Sequence, residues 1–427
     1  MSQKSLESRR WLVLVASCAI NLCIGSLYAW SVFDAPMAQR LSALTGTDIA
    51  NLSLVFTLAN AVGPLTMISG GAINDRIGPR RVVAVGGLLF GAGMIASGYA
   101  TSVPFLLVSY GLGCGLGMGM VYGTVVSNAV KFFPDKRGMV GGVTTASYGL
   151  SSVIVPVVAR ALIDSVGISS AFIILGVGIV AVIALASPFI VACPKGWAPA
   201  GWAAEPTHAT GAIVQKDWRG MLADPVFYTM IAMLLCGAFS GLMVTSQASR
   251  LAQAMAGMDA LQSALIVSVL ALFNTAGRIA SGTLSDKLGA PRTLRLVYAL
   301  AIAGSLLLMI SNTAGAAAFC AGICIVGFCF GSVMGIYPGF TAAQFGSAHN
   351  SVNYGIMFIG FALAGFFGPT CMNLLSSSTG SSQAAFALAM ILAAAGLALT
   401  FVFARQKART HRAPEDAMRD GRAHARG

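Results

Sequence analysis

The sequence predicts an all-α membrane protein, with twelve transmembrane helices arranged as two six-helix halves. Three observations carry this expectation. The 427 residues are 56% hydrophobic and only 9% charged, with a mean hydropathy of +0.80, whereas a soluble domain carries about 25% charged residues. Apolar runs of roughly 20 residues, each long enough to cross a ~30 Å hydrocarbon layer as a helix, recur along the chain. Finally, the loop motif GAINDRIG at residues 71–78 returns as GTLSDKLG at 282–289, an offset of 211 residues and about half the chain.

Reading the apolar runs between charged or Pro/Gly-rich breaks places spans at 11–33, 49–73, 82–100, 104–130, 139–164 and 168–193. The second series runs 225–253, 260–284, 293–312, 315–343, 351–376 and 381–404. This divides the chain into a first half, 1–193, a linker, 194–224, a second half, 225–404, and a basic tail, 405–427. The linker, with its WAPAGWAAEP run, is too polar to span and too rich in Pro and Gly to fold alone. The N-terminal SRRWLVLVA resembles a twin-arginine export signal, but the apolar stretch continues to Phe33 and more spans follow, so an uncleaved first helix is expected.

Basic residues orient the bundle. Of the 26 lysines and arginines, 22 fall in the tails and in alternate loops, on what the positive-inside rule makes the cytoplasmic side. The reading is therefore a multi-pass protein of the cell inner membrane with both termini cytoplasmic. The net charge of +12 is accounted for in this way, with the lipid bilayer as the partner and no nucleic acid. Nine cysteines sit in or beside apolar runs without a CxxC or a paired histidine, so they read as small packing residues, with no metal site. The four histidines lie in loops or the tail, and neither a Gly-rich phosphate loop nor HExxH is present. No cofactor and no enzymatic activity are expected.

Of the four remaining basic residues, Arg40 reads as lying in an outer loop, and Arg160 and Arg250 near outer helix ends, where the side chain can snorkel. Arg278 does not fit that pattern. No charged residue precedes it back to Ala260, and none follows until Asp286. An arginine at membrane depth costs at least about 2.5 to 3.5 kcal/mol and normally needs a partner. All 14 acidic residues fall in tails, loops or helix ends, so the missing counter-ion reads as the substrate, a small organic anion. A guanidinium suits that task because its planar fork gives a carboxylate two parallel hydrogen bonds and keeps its proton when buried. Other polar groups at membrane depth are Tyr28 and Trp30, Tyr122, Tyr148, and Asn274 one turn before Arg278 on the same face. Trp30 could equally be an interfacial belt residue.

The repeat of GAINDRIGPRR resembles the signature loop of the major facilitator superfamily of secondary transporters. Three further stretches resemble the oxalate/formate antiporter family, close to the monocarboxylate porters: YGTVVSNAVKFFPDKRGMVGG, GLMVTSQASRLAQ, and the NYG at Asn353 to Gly355. The resemblance implies two halves rocking about a midplane site, and a default monomer. It implies a substrate-binding arginine at Arg278, and pocket tyrosines at Tyr28, Tyr122 and Tyr148. It implies gating or structural roles for the repeated motif, at Gly71, Asp75, Arg76 and Gly78 and at Gly282, Asp286, Lys287 and Gly289, whose carboxylates can cap a neighbouring helix or pair with Arg and Lys.

Two departures from the resembled families shape the expected substrate. Oxalate-carrying members have a lysine in the eleventh span where counting from NYG places Phe361, and an aromatic pair where Phe330 and Met334 fall. One fixed cation and an apolar wall of Phe330, Met334 and Phe361 suit one carboxylate, of the lactate, pyruvate or formate class. The monocarboxylate porters carry an aspartate where Asn274 stands, and asparagine cannot titrate. Coupling is thus open between a proton, with Asp34 as the nearest acid, and a counter-anion. The alternatives are an oxalate/formate-type anion exchanger and a non-transporting anion sensor on the same fold.

Overall fold

The computed structural model describes residues 3–49, 52–194, 196–202, 215–379 and 382–424, and among them the regular structure is helical. Eleven apolar runs are long enough to cross a membrane. The fifth of them, Arg137–Phe189, has 53 residues, which as one helix would be about 80 Å long and more than twice the hydrocarbon thickness. Gly167, at φ 80° and ψ 163°, interrupts it. Beyond that glycine the chain has turned back, as its contacts with the third span, Pro79–Gly98, demonstrate. Gly98 meets Ser169 and Ile173, Gly91 meets Gly176 and Val180, and Gly87 meets Ile183, so numbers rise along one helix as they fall along the other. Residues 137–166 and 168–189 are therefore the fifth and sixth spans, and the total is twelve.

The second and fourth spans are Ser53–Ile77 and Val103–Phe132. After the linker follow Pro225–Ala256, Ala260–Leu288, Ala290–Ala314 and Ala316–Phe345, then Asn350–Ser378 and Gln383–Ala408, the seventh to twelfth spans. Their ends are marked by ordinary helix chemistry. Asp224 and Asp259 cap the seventh and eighth helices, the latter in a capping box with Gln262. Gly78 and Gly289, at φ 87° and 81°, turn the chain at equivalent points of the two repeats.

The first span, Leu6–Thr45, is longer than the sequence suggests, and Arg40 lies within it rather than in a loop. The reason is that the two charges beyond residue 33, Asp34 and Arg40, are absorbed by backbone groups of neighbouring helix ends. The Arg40 guanidinium donates to the Gly98 carbonyl at 2.9 Å, and Asp34 accepts from the Leu52 amide at 2.8 Å. This span is also wound unevenly, with Gly25–Ala29 forming a 3₁₀ segment. Opposite it, residues Leu107–Cys114 of the fourth span form a π-helix. The Tyr110 hydroxyl in that wide turn donates to the Leu27 carbonyl at 3.3 Å, joining the two irregular segments.

The halves meet most tightly where glycines remove side chains. Gly138 and Gly142 of the fifth span lie against Gly282 and the Arg278 carbonyl of the eighth, with no room for a Cβ. Within the second half, Gly331 and Gly335 of the tenth span lie equally close to the backbone at Asn274 and Arg278. Such close approach lets dispersion act between backbones where lipid offers no hydrophobic driving force.

On the face that carries most of the basic residues, hydrogen bonds tie the halves together. Asp286 accepts from the amides of Gly138 and Met139 at 2.7 and 2.8 Å, so a carboxylate of the second half caps the fifth span of the first. The other repeat uses its aspartate differently. Asp75 pairs with Lys131 at 3.3 Å, with His349 Nδ1 4.0 Å away, while Lys131 also donates to the Ala348 carbonyl. Asn74 donates to Ser351 at 2.7 Å, Ser127 donates to the Asn350 carbonyl, and Arg137 to the Ala342 carbonyl. Gly71 and Gly355 bring the second and eleventh spans into backbone contact, with Ser351–Val352 and Met67–Ile68 respectively. Arg76 and Lys287 are exposed. Towards the opposite face, residues 359–379 of the eleventh span barely touch the second.

Replacing the capping carboxylate isolates its contribution. Asp286→Ala is expected to lower unfolding stability in detergent by about 1 to 2 kcal/mol, the usual worth of such a cap, measured as a reduced unfolding midpoint.

Candidate functional site

Arg278 lies in the eighth span and is 4% exposed. Its side chain runs away from the basic face rather than snorkelling towards it. Nε donates to Asn274 Oδ1 at 2.9 Å, one turn in the opposite direction, and Nη1 donates to the Thr145 carbonyl of the fifth span at 2.8 Å. The guanidinium passes over Gly149, whose missing side chain leaves the space, with a built Cβ only 3.3 Å from Nε. Among the described residues it forms no ion pair.

This arrangement leaves part of the guanidinium's donor capacity unused. With Nε committed to Asn274 and one hydrogen of Nη1 to Thr145, the second Nη1 hydrogen and both on Nη2 remain. Those hydrogens, with the Tyr122 hydroxyl against the group, can donate charge-assisted bonds to a carboxylate. Asn274 is 6% exposed, and its oxygen is already used as an acceptor. It thus sets the angle of the guanidinium without neutralising it.

The three predicted tyrosines gather beside the arginine. Tyr148 packs edge-on against Tyr28 at 5.2 Å and against Tyr122 at 5.0 Å, and all three are close enough to feel the Arg278 charge. Tyr28 stands on the 3₁₀ segment of the first span, where the tighter winding places it at half-buried depth. Trp30 is 3% exposed and packs at a tilt against Tyr110, with ring centroids 4.5 Å apart, so it is a packed residue and not part of an interfacial belt.

The predicted apolar residues stand on the other side. Phe330 and Phe361 are stacked, with centroids 6.2 Å apart and planes 6° from parallel, and Met334 belongs to the same buried cluster. Phe358 connects the two groups, lying 4.5 Å from Phe361 and 5.7 Å from Tyr122. One continuous aromatic surface therefore runs from the first half to the second, past the arginine.

Asp34 lies apart, near the far end of the first span, where its carboxylate holds the Leu52 amide. The motif residues Gly71, Asp75, Gly282 and Asp286 lie at the basic face and not with this cluster.

Four participants were not singled out from the sequence. Thr145 acts through its backbone carbonyl, which no side-chain pattern reveals. Phe358 and Tyr110 look like ordinary apolar-helix residues. Tyr354, fully buried near Tyr122 and Arg278, was legible only as the centre of NYG.

Comparison with known proteins agrees with this architecture. The Major Facilitator Superfamily profile matches residues 11–369. The chain is 27% identical over 403 residues to an oxalate:formate antiporter of Oxalobacter formigenes, covering 94% of this chain and 93% of the relative. It is 26% identical over 391 residues to mouse (Mus musculus) monocarboxylate transporter 11, covering 88% and 83%. Among solved structures, the transporter FucP in the outward conformation superimposes with a TM-score of 0.66 at 15% identity, covering 92% of this chain and 98% of that one. A profile match over most of the chain, on a twelve-span helical bundle with a repeated loop motif, means that the protein belongs to the Major Facilitator Superfamily of transporters.

Proposed function

We propose that the protein is a secondary active carrier for a small monocarboxylate, of the lactate, pyruvate or formate class, working by alternating access, with Arg278 binding the carboxylate. The observation that carries this reading is the buried guanidinium held by neutral groups, Asn274 Oδ1 and the Thr145 carbonyl, with the Tyr122 hydroxyl against it and, among the described residues, no carboxylate paired with it. A buried cation without a counter-charge is unfavourable, and a bound anion relieves it. Tyr28, Tyr122 and Tyr148 can donate further hydrogen bonds, and Phe330, Met334, Phe358 and Phe361 would face the organic body of the substrate. A single fixed charge against an aromatic wall matches one carboxylate better than two.

Orientation follows from the positive-inside rule, which makes the basic face cytoplasmic in a bacterial inner membrane, with both termini on that side. The bonded face is then the cytoplasmic one, and the conformation is outward-facing. Opening it requires release of the Asp286 cap, the Asn74–Ser351 bond and the two glycine contacts of the second and eleventh spans, while the opposite side closes.

Asn274 favours anion exchange over proton symport. It cannot take up a proton, so nothing beside Arg278 replaces the substrate charge when the site empties. Asp34 is committed to the Leu52 amide.

Reconstitution tests this reading directly. Proteoliposomes are expected to take up labelled formate or lactate, faster when loaded with unlabelled anion, and Arg278→Gln is expected to abolish uptake. Binding without flux in any mode would instead make the protein a sensor.

Asn274→Asp places a carboxylate on the Nε edge. Uptake at pH 7 is expected to fall by roughly an order of magnitude, the scale of an interaction worth about 1.4 kcal/mol. It should recover partly as acidification protonates the new aspartate and frees the guanidinium.

Phe361→Lys adds a second cation to the wall. A gain in oxalate uptake relative to formate is expected, and an unchanged ratio would remove Phe361 from the site.

A further inference from the structure

Tyr354 is completely buried, at 0% exposure, and its hydroxyl oxygen is without a hydrogen-bond partner. It belongs to the first helical segment of the eleventh span, Asn350–Met357. The hydroxyl lies against that of Tyr122, in a contact too poorly formed to make a full hydrogen bond, and within electrostatic reach of Arg278. Its ring rests edge-on against Phe358 at 5.9 Å.

A phenol in this position is anomalous. Tyrosine hydroxyls taken out of water nearly always find a partner, because an unmade bond forfeits the full desolvation penalty. Other buried polar atoms without partners include the hydroxyls of Ser26, Thr124 and Ser151 and the indole nitrogen of Trp30. The Tyr354 hydroxyl lies within electrostatic reach of Arg278, a buried cation that, among the described residues, has no acceptor of opposite charge. A donor and a cation that both lack the same partner are satisfied together by an anion.

We infer that Tyr354 is a further substrate-binding residue, donating its hydroxyl proton to the carboxylate that Arg278 holds. The inference rests on the proposed role of Arg278 and adds to it a ligand on a different helix. Tyr354 directly precedes Gly355, which packs on the Met67–Ile68 backbone, and follows Ser351, which bonds Asn74. The hydroxyl is thus mounted on the segment that seals the basic face, and a bound carboxylate holds that segment against the arginine.

The test is thermal unfolding of purified full-length protein in detergent, with and without formate, acetate, lactate or pyruvate, for wild type, Tyr354→Phe and Arg278→Gln. Phenylalanine keeps the ring and removes the unsatisfied hydroxyl. Without anion, Tyr354→Phe is expected to unfold at or above the wild-type temperature, where loss of a structural hydrogen bond would lower it. Its affinity for the stabilising anion is expected to fall roughly tenfold, the scale of one lost hydrogen bond to a charged group. An anion affinity equal to wild type, with Arg278→Gln unable to bind, overturns the role of Tyr354 and leaves that of Arg278 standing. Arg278→Gln binding as well as wild type, or no stabilisation of wild type by any of the four anions, overturns both.

Discussion

The rest of this structure depends on how a permanent cation is kept inside a membrane bundle without an internal anion. Arg278 cannot escape by losing its proton, and the chain gives it two neutral oxygens instead of a carboxylate. Each neutral acceptor removes part of the desolvation penalty and none of the charge. The result is a site with a standing electrostatic demand. An aspartate in place of Asn274 would satisfy that demand from within, and the site would then have to be unlocked by a proton before it could receive an anion.

The neutral arrangement is available only because three helices come together at backbone distance. Gly138, Gly142 and Gly149 form one smooth face of the fifth span, with Thr145 between them, and the eighth span lies directly on it. Gly331 and Gly335 press the tenth span against the other side of the same two turns. A side chain at these positions would push the Thr145 carbonyl out of reach of Nη1. Packing and charge stabilisation are therefore one constraint, expressed once as missing Cβ atoms and once as a hydrogen bond across the halves.

The fold was largely legible in the sequence, because hydropathy, helix length and basic-residue placement are all set by the bilayer. What hid the details was local. The 3₁₀ and π segments at Gly25–Ala29 and Leu107–Cys114 were not read from the sequence, and the bond that joins them, from Tyr110 to Leu27, is a contact between spans distant in sequence. Arg40 looked like a loop residue, and Asp34 like the end of a span, because their partners, the Gly98 carbonyl and the Leu52 amide, are backbone groups distant in sequence. At the site, Arg278 announced itself by charge and Asn274 by spacing. Thr145, Phe358 and Tyr354 could not, because a carbonyl, one more phenylalanine and a tyrosine without a partner acquire meaning only from what stands next to them.

The 3₁₀ segment of the first span has a consequence for the geometry of the whole helix. A 3₁₀ turn advances about 120° and 2.0 Å per residue where an α-helix advances about 100° and 1.5 Å. Over the five residues Gly25–Ala29, this amounts to an extra rotation of roughly 100° and an extra length of about 2.5 Å. The residues before Gly25 and those after Ala29 consequently follow two different helical phases. A single helical wheel cannot describe the span: the stripe that packs on its neighbours below Tyr28 emerges about a quarter-turn displaced above it.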